Sequence, residues 1–261
     1  MNLYFYIPYL YTIKTRLGKK GRLLSYILIL VIPPAYFALI LQAENPTLNS
    51  LFAVIIGTLI IQNNYEIGYI QNDAETIKKE NLPTLRLGKE ALSYYELNKV
   101  QIYLSRFLWW ALLVSILFLM QHAIHDTLIF VGIATLIIPI FLIYNSVRNY
   151  LNLILHFILT IFKYTAVQFL FLSSFKFEIF LLSLFAYPFL NLLDRAATPR
   201  FFRKLSEFYT PKTSKYRMYY YTCLFLICSC LYFINSLSLE SLGIVFLYFA
   251  FRLSIYFSKI K

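Results

Sequence analysis

Eight apolar stretches of about 20 residues recur along the chain, and an α-helix needs about 20 apolar residues to cross a bilayer core. A backbone in hydrocarbon must satisfy its own polar groups, so such stretches fold as helices. Hydropathy predicts spans at 23–42, 51–70, 100–120, 127–144, 150–172, 175–193, 216–235 and 239–257. The expected fold class is all-α: a polytopic transmembrane helix bundle of about eight spans, forming a single integral membrane domain over residues 1–261. Only 14% of residues are charged, against about 25% in soluble domains, which excludes a soluble enzyme.

The basic residues are segregated. Of 24 Lys and Arg, 20 fall in segments on the N-terminal side of this topology. Lys176 alone falls on the other side, and Arg106, Lys163 and Arg252 lie within spans. The positive-inside rule then places both termini in the cytoplasm of a multi-pass protein, with the bacterial inner membrane as its expected setting. Residues 71–99 and 194–215 become the two long cytoplasmic loops. Residues 1–22 are expected to form a cytoplasmic or interfacial segment, because the apolar part precedes its basic cluster, the reverse of a signal peptide. Membrane orientation accounts for the net charge of +12, so nucleic acid is not an expected partner; the lipid bilayer is. Arg106 and Arg252 are expected to snorkel toward the cytoplasmic face. Cys223, Cys228 and Cys230 share one apolar segment and read as small hydrophobes rather than a disulfide framework. Pro33, Pro34, Pro139 and Pro188 interrupt spans and are expected to kink them.

Polar residues leave the second span on one face. At about 100° per residue, Gln62, Glu66, Tyr69, Asp73, Thr76 and Glu80 fall within an arc of roughly 80°. Placing an acidic side chain such as Glu66 in a membrane helix costs about 2.5–3.5 kcal/mol, so this face is expected to look into the bundle and a wet cavity. Tyr187, Asn191, Asp194 and Thr198 repeat the offsets of Tyr69, Asp73, Thr76 and Glu80 at the end of the sixth span. Two such helix ends predict one shared pocket; coincidence in a chain rich in Tyr and Asn is the competing account. On the fifth span, Asn145, Asn149, Asn152, His156, Thr160 and Lys163 form a stripe reaching about 20 Å inward at about 1.5 Å per residue. His156 or Asn152 either serves an acceptor, by orientation or proton transfer, or glues helices by hydrogen bonds. His122, His125 and Asp126 on the outer loop lack a third firm ligand and predict no metal site. No phosphate-binding loop, nucleophile elbow or dinucleotide fingerprint occurs.

On these residues the chain resembles the UbiA superfamily of intramembrane prenyltransferases. That family carries an NDxxDxxxD motif after its second helix and a DxxDxxxD motif after its sixth. Here the first reads Asn72-Asp73-x-x-Thr76-x-x-x-Glu80 and the second Asn191-x-x-Asp194-x-x-x-Thr198. Pro83-Thr84 and Asp194-Arg195 look like the dipeptides that accompany the motifs. Thr76, Asn191 and Thr198 stand where the family has acids, and the family usually has nine helices.

The resemblance implies Mg²⁺-dependent transfer of a prenyl group from a prenyl diphosphate to a lipophilic or aromatic acceptor. It makes Asp73, Glu80 and Asp194 the catalytic carboxylates, holding Mg²⁺ together with Thr76 and Asn191. Asn72, Lys78, Lys79, Arg86, Arg195 and Arg200 would bind diphosphate. Asn152, His156, Lys163, Glu66, Tyr69 and Tyr187 would line the acceptor pocket. Three remaining carboxylates suit one Mg²⁺ aided by basic side chains better than a multi-metal cage. The alternatives are a terpene cyclase of the same type, a non-catalytic lipid-binding relative, a small-solute transporter, or an assembly subunit without a pocket.

Overall fold

The computed structural model describes residues 2–18, 21–79, 84–120 and 123–258, and its regular structure there is entirely helical. A short helix α1 (Leu10–Arg16) precedes the bundle helices α2 (Arg22–Gln42), α3 (Leu48–Ala74), α4 (Lys89–Met120) and α5 (Ile124–Ser146). Helix α6 (Leu151–Thr165) continues as a tighter turn over Ala166–Ser174, and α7 occupies Phe177–Ala196. The chain closes with α8 (Arg203–Tyr209), α9 (Thr213–Phe233) and α10 (Leu239–Ser258). Seven of these helices are long and apolar enough to cross a membrane, which fits an integral multi-pass membrane protein.

Eight spans were expected. The one that falls short is α9, a helix of 21 residues that meets the length requirement but not the apolarity, with Tyr216, Tyr219, Tyr220, Tyr221 and Thr222 in its first half. It pairs with α10 through stacked rings, Tyr221 on Tyr248 and Phe225 on Phe249, each with centroids 5.2 Å apart.

The proline interruptions in α2 and α7 have local causes, whereas Pro139 lies inside the continuous helix α5. In α2 the Pro33-Pro34 pair is flanked by two π-helical stretches, Ile27–Val31 and Phe37–Gln42, since proline lacks the N–H that the helix ladder requires. In α7 the break falls at Tyr187 (φ −146°, ψ −52°), because the ring of Pro188 bars the preceding residue from helical geometry. The break leaves carbonyls unserved, and α9 serves them: Tyr221 donates to the Ala186 carbonyl at 2.8 Å and Tyr220 to that of Phe185 at 2.5 Å.

Lipid tails are as apolar as leucine, so close packing and polar contacts must hold the helices together. Helices α3 and α5 meet at Gly68, where a methyl group would lie 2.2 Å from the Phe141 ring. Asn145 of α5 donates to the Gly68 carbonyl at 3.0 Å, and Asn64 of α3 donates to the Ala134 carbonyl at 2.8 Å.

The N-terminal segment does more than rest on the bilayer surface. Phe5 and Tyr11 are fully buried against the end of α3 and the start of α4. Its backbone is bonded to a charged pair within the bundle. The Thr12 amide donates to Glu66 Oε1 at 2.7 Å, and Arg106 donates to the carbonyls of Phe5 at 2.9 Å and Tyr4 at 3.2 Å. Arg106 therefore does not snorkel: it is wholly buried, with Nη1 2.9 Å from Glu66 Oε2.

Candidate functional site

The broken tip of α7, the end of α3 and the polar stripe of α6 enclose a cavity of about 250 Å³. Tyr69 and Asn72 of the first motif and Tyr187 and Asn191 of the second line it together, so the two helix ends share one hollow. Tyr65, Phe141 and Tyr144 supply aromatic wall. His156, Thr160 and Lys163 bring the α6 stripe to the same space, and Arg16 and Arg86 enter from the loops.

Lys163 is the unusual member. Its ammonium lies 4.5 Å from the Tyr65 ring centroid, 5.4 Å from that of Tyr26 and 5.6 Å from that of Tyr69. Among the described residues no carboxylate or hydrogen-bond acceptor reaches it. Lys163 is half-buried, and ring quadrupoles, worth about 2 kcal/mol to a desolvated cation, leave its charge uncancelled.

A second, strongly polar compartment of about 250 Å³ adjoins this cavity across Asn72, Tyr144 and Arg86. Four arginines, Arg86, Arg148, Arg195 and Arg200, line it, and among the described residues no carboxylate does. Asn152 orients one of them, accepting from Arg195 Nη2 at 3.2 Å while its own amide holds the Tyr144 and Val147 carbonyls. Tyr144 accepts from the same guanidinium at 3.1 Å, and Arg195 Nε is buried without a partner among the described residues. Forked guanidinium donors converging on a polar space are the arrangement that binds phosphate oxygens.

The two described motif carboxylates, Asp73 and Asp194, line neither compartment. Asp73 is fully buried and accepts from Arg16 at 2.8 and 3.1 Å, Arg86 at 3.1 Å, Tyr11 at 2.9 Å and Asn72 at 3.2 Å. Burial and the adjacent Asp73 charge push the Tyr11 hydroxyl well above the ordinary phenol range, so it stays a donor. Asp194 accepts from Tyr209 at 2.7 Å and pairs with Arg217 at 2.8 Å. Tyr209 is likewise raised, by burial and then by its bond to Asp194.

This donor set does not fit the expected Mg²⁺ site. Among the described residues no three acidic, His or Cys side chains converge. The oxygens of Asp73 and Asp194 already meet guanidinium and phenol donors, and a hard cation would have to displace them. Asn191 is committed too: its oxygen contacts His156 Nε2 at 2.7 Å and accepts from Thr160 at 3.2 Å, and its amide donates to Tyr187 at 3.0 Å. Thr76 leans on Gln71 at 3.5 Å, and the Thr198 hydroxyl bonds the Arg195 carbonyl at 3.0 Å. Glu80 and Pro83 lie outside the described residues, as does the side chain of Lys79.

Other expected site residues serve the scaffold. Lys78 is exposed and bridges Glu75 at 2.9 Å to Glu96 at 2.5 Å, joining the turn after α3 to α4, and it lines neither compartment. Glu66, instead of lining the acceptor pocket, pairs with Arg106. His156 lines the cavity and ties α6 to α7 through its contact with Asn191. At the start of α5, rather than in a loop, Asp126 accepts from the Ser173 amide at 3.0 Å and His125 lies 3.7 Å from it; His122 is outside the described residues.

The sequence reading missed Arg16 and Arg148. The position of Arg148 beside the Asn145, Asn149 and Asn152 stripe was a usable signal; Arg16 had none, because α1 reaches the cavity only by folding back onto α3. The chain matches no protein-family model, no curated protein and no solved structure.

Proposed function

We propose that the joined cavities bind a prenyl diphosphate, diphosphate in the arginine compartment and hydrocarbon against the tyrosines, and that the chain is an intramembrane prenyltransferase. The observation that carries this reading is Lys163, an ammonium that no carboxylate reaches among the described residues, in an aromatic cavity that opens on four arginines. A cavity of that charge takes an anion, and one walled by Tyr65, Tyr69 and Phe141 takes an anion with an apolar body. The resemblance in the two motifs supplies the prenyl identity and the cytoplasmic placement of the mouth.

In such a transfer the allylic C–O bond breaks and the diphosphate leaves with its electron pair. Arg86, Arg195 and Lys163 would receive the growing negative charge, and ring faces would shelter the carbon cation from water until an electron pair of the acceptor closes the new bond and the acceptor gives up its proton to the departed diphosphate. The charge is thus met by side chains, and no step is assigned to a metal.

A second reading, binding without turnover, is favoured by the engagement of both Asp73 and Asp194 with arginines. Purified full-length protein incubated with farnesyl diphosphate separates the two. Bound ligand with released diphosphate supports the transferase, bound ligand without release supports the second reading, and no binding defeats both. Lys163→Met is expected to weaken binding at least tenfold.

A further inference from the structure

A third cavity, of about 510 Å³, lies between α2, α7, α9 and α10. Arg22, Arg217 and Arg252 line it, with Asp194 as the sole carboxylate among its described lining residues. Arg217 cancels that carboxylate at 2.8 Å. Arg22 makes one long contact, to the Arg16 carbonyl at 3.5 Å. Arg252 has a buried Nε with no hydrogen-bond partner among the described residues; it lies 5.8 Å from the Tyr221 ring and 5.7 Å from that of Phe251. Two guanidinium charges are therefore left for a ligand. Ile29, Leu30 and Leu190 give it an apolar wall on helices long and apolar enough to cross a membrane, beside Ser25, Tyr26, Tyr187 and Asn191.

We propose that this cavity binds the phosphate monoester headgroup of a membrane lipid, with Arg252 and Arg22 on the phosphate and the first carbons of its chain against Ile29, Leu30 and Leu190. A phosphate monoester carries a charge of about −1.5 to −2 at neutral pH, matching the two uncancelled guanidiniums. A phosphodiester headgroup carries one negative charge and leaves one arginine unmatched. Free phosphate shares the anionic chemistry but gains nothing from the apolar wall. Tyr187, Asn191 and Leu30 line this cavity and the first one alike, so a headgroup held here sits one side chain away from the proposed diphosphate lipid. The site goes beyond the first cavity's ligand and stands whether or not that ligand is turned over.

The test is equilibrium binding of radiolabelled dodecyl phosphate and inorganic phosphate to full-length protein in detergent, with farnesyl diphosphate binding measured on the same samples. Dodecyl phosphate is expected to bind at least tenfold more tightly than inorganic phosphate and to remain bound under saturating farnesyl diphosphate. Arg252→Met is expected to lose at least tenfold in dodecyl phosphate affinity and Arg252→Lys less, both keeping farnesyl diphosphate binding. Arg22→Gln, at the exposed rim, should lose affinity without threatening the fold. Unchanged dodecyl phosphate binding in both Arg252→Met and Arg22→Gln overturns the proposal. So does equal affinity for inorganic phosphate, or displacement by farnesyl diphosphate. Loss of farnesyl diphosphate binding in the wild-type chain alone would strike the first cavity's reading and leave this one standing.

Discussion

Arg16 Nη1 rests 2.8 Å from Asp73 Oδ2, and the same guanidinium lies 3.9 Å from the Tyr69 ring centroid. One carboxylate thereby fixes a cation from α1 on the wall of the cavity, and Arg86 from the following loop shares it. Asp73 acts on the cavity through the arginines it places. Asp73→Asn should weaken farnesyl diphosphate binding about tenfold, and Asp73→Asn with Arg86→Ala should lose less than the sum of the two, since residues in one network are not additive. Titration calorimetry on the four proteins of the cycle checks this, and strict additivity contradicts it.

Guanidinium recognition has a simple signature. Chelation with EDTA should leave farnesyl diphosphate affinity within about twofold, while raising salt from 0.1 to 1 M, which shortens the screening length from about 10 to 3 Å, should weaken it. A tenfold fall on chelation would mean that the arginine-bound carboxylates reorganise around a cation.

The Glu66–Arg106 pair is a stability element. Removing one member leaves a buried charge, so Arg106→Met should cost about 3–5 kcal/mol and Glu66→Gln with Arg106→Met distinctly less. Unfolding of the variants in mixed micelles reads both; equal losses would show that the pair itself is not what matters.

Tyr221→Phe tests the α7 break. It leaves the buried Ala186 carbonyl unpaired at a cost of about 1–3 kcal/mol, whereas Tyr220→Phe, at a half-buried site water can reach, should cost less.

The spans were legible because hydrocarbon demands long apolar helices, and the shared hollow was legible because Tyr69 and Tyr187 stand at equivalent offsets on their helices. What the sequence concealed depends on distant partners. Thr12 meets Glu66 and Phe5 meets Arg106, contacts 54 and 101 residues apart along the chain that no local periodicity encodes. Lys78 looked like a phosphate ligand by proximity to Asp73, but the turn at Thr76–Lys79 carries it toward Glu96. Asp73 and Asp194 read as metal ligands because a motif shows spacing and hides which cations lie across the gap. Helix α9 has the length of a span but not the apolarity, and two of its tyrosine hydroxyls, those of Tyr220 and Tyr221, serve carbonyls of α7 that its own sequence does not announce.

The bonds from Arg106 to the carbonyls of Tyr4 and Phe5 also set an order of assembly. Those carbonyls are made about a hundred residues before their donor, which arrives only with α4. Until then Glu66 lacks its cation and residues 4–5 lack their donor. Residues 4–12 are therefore among the last parts of this half of the bundle to settle, although they are synthesised before it.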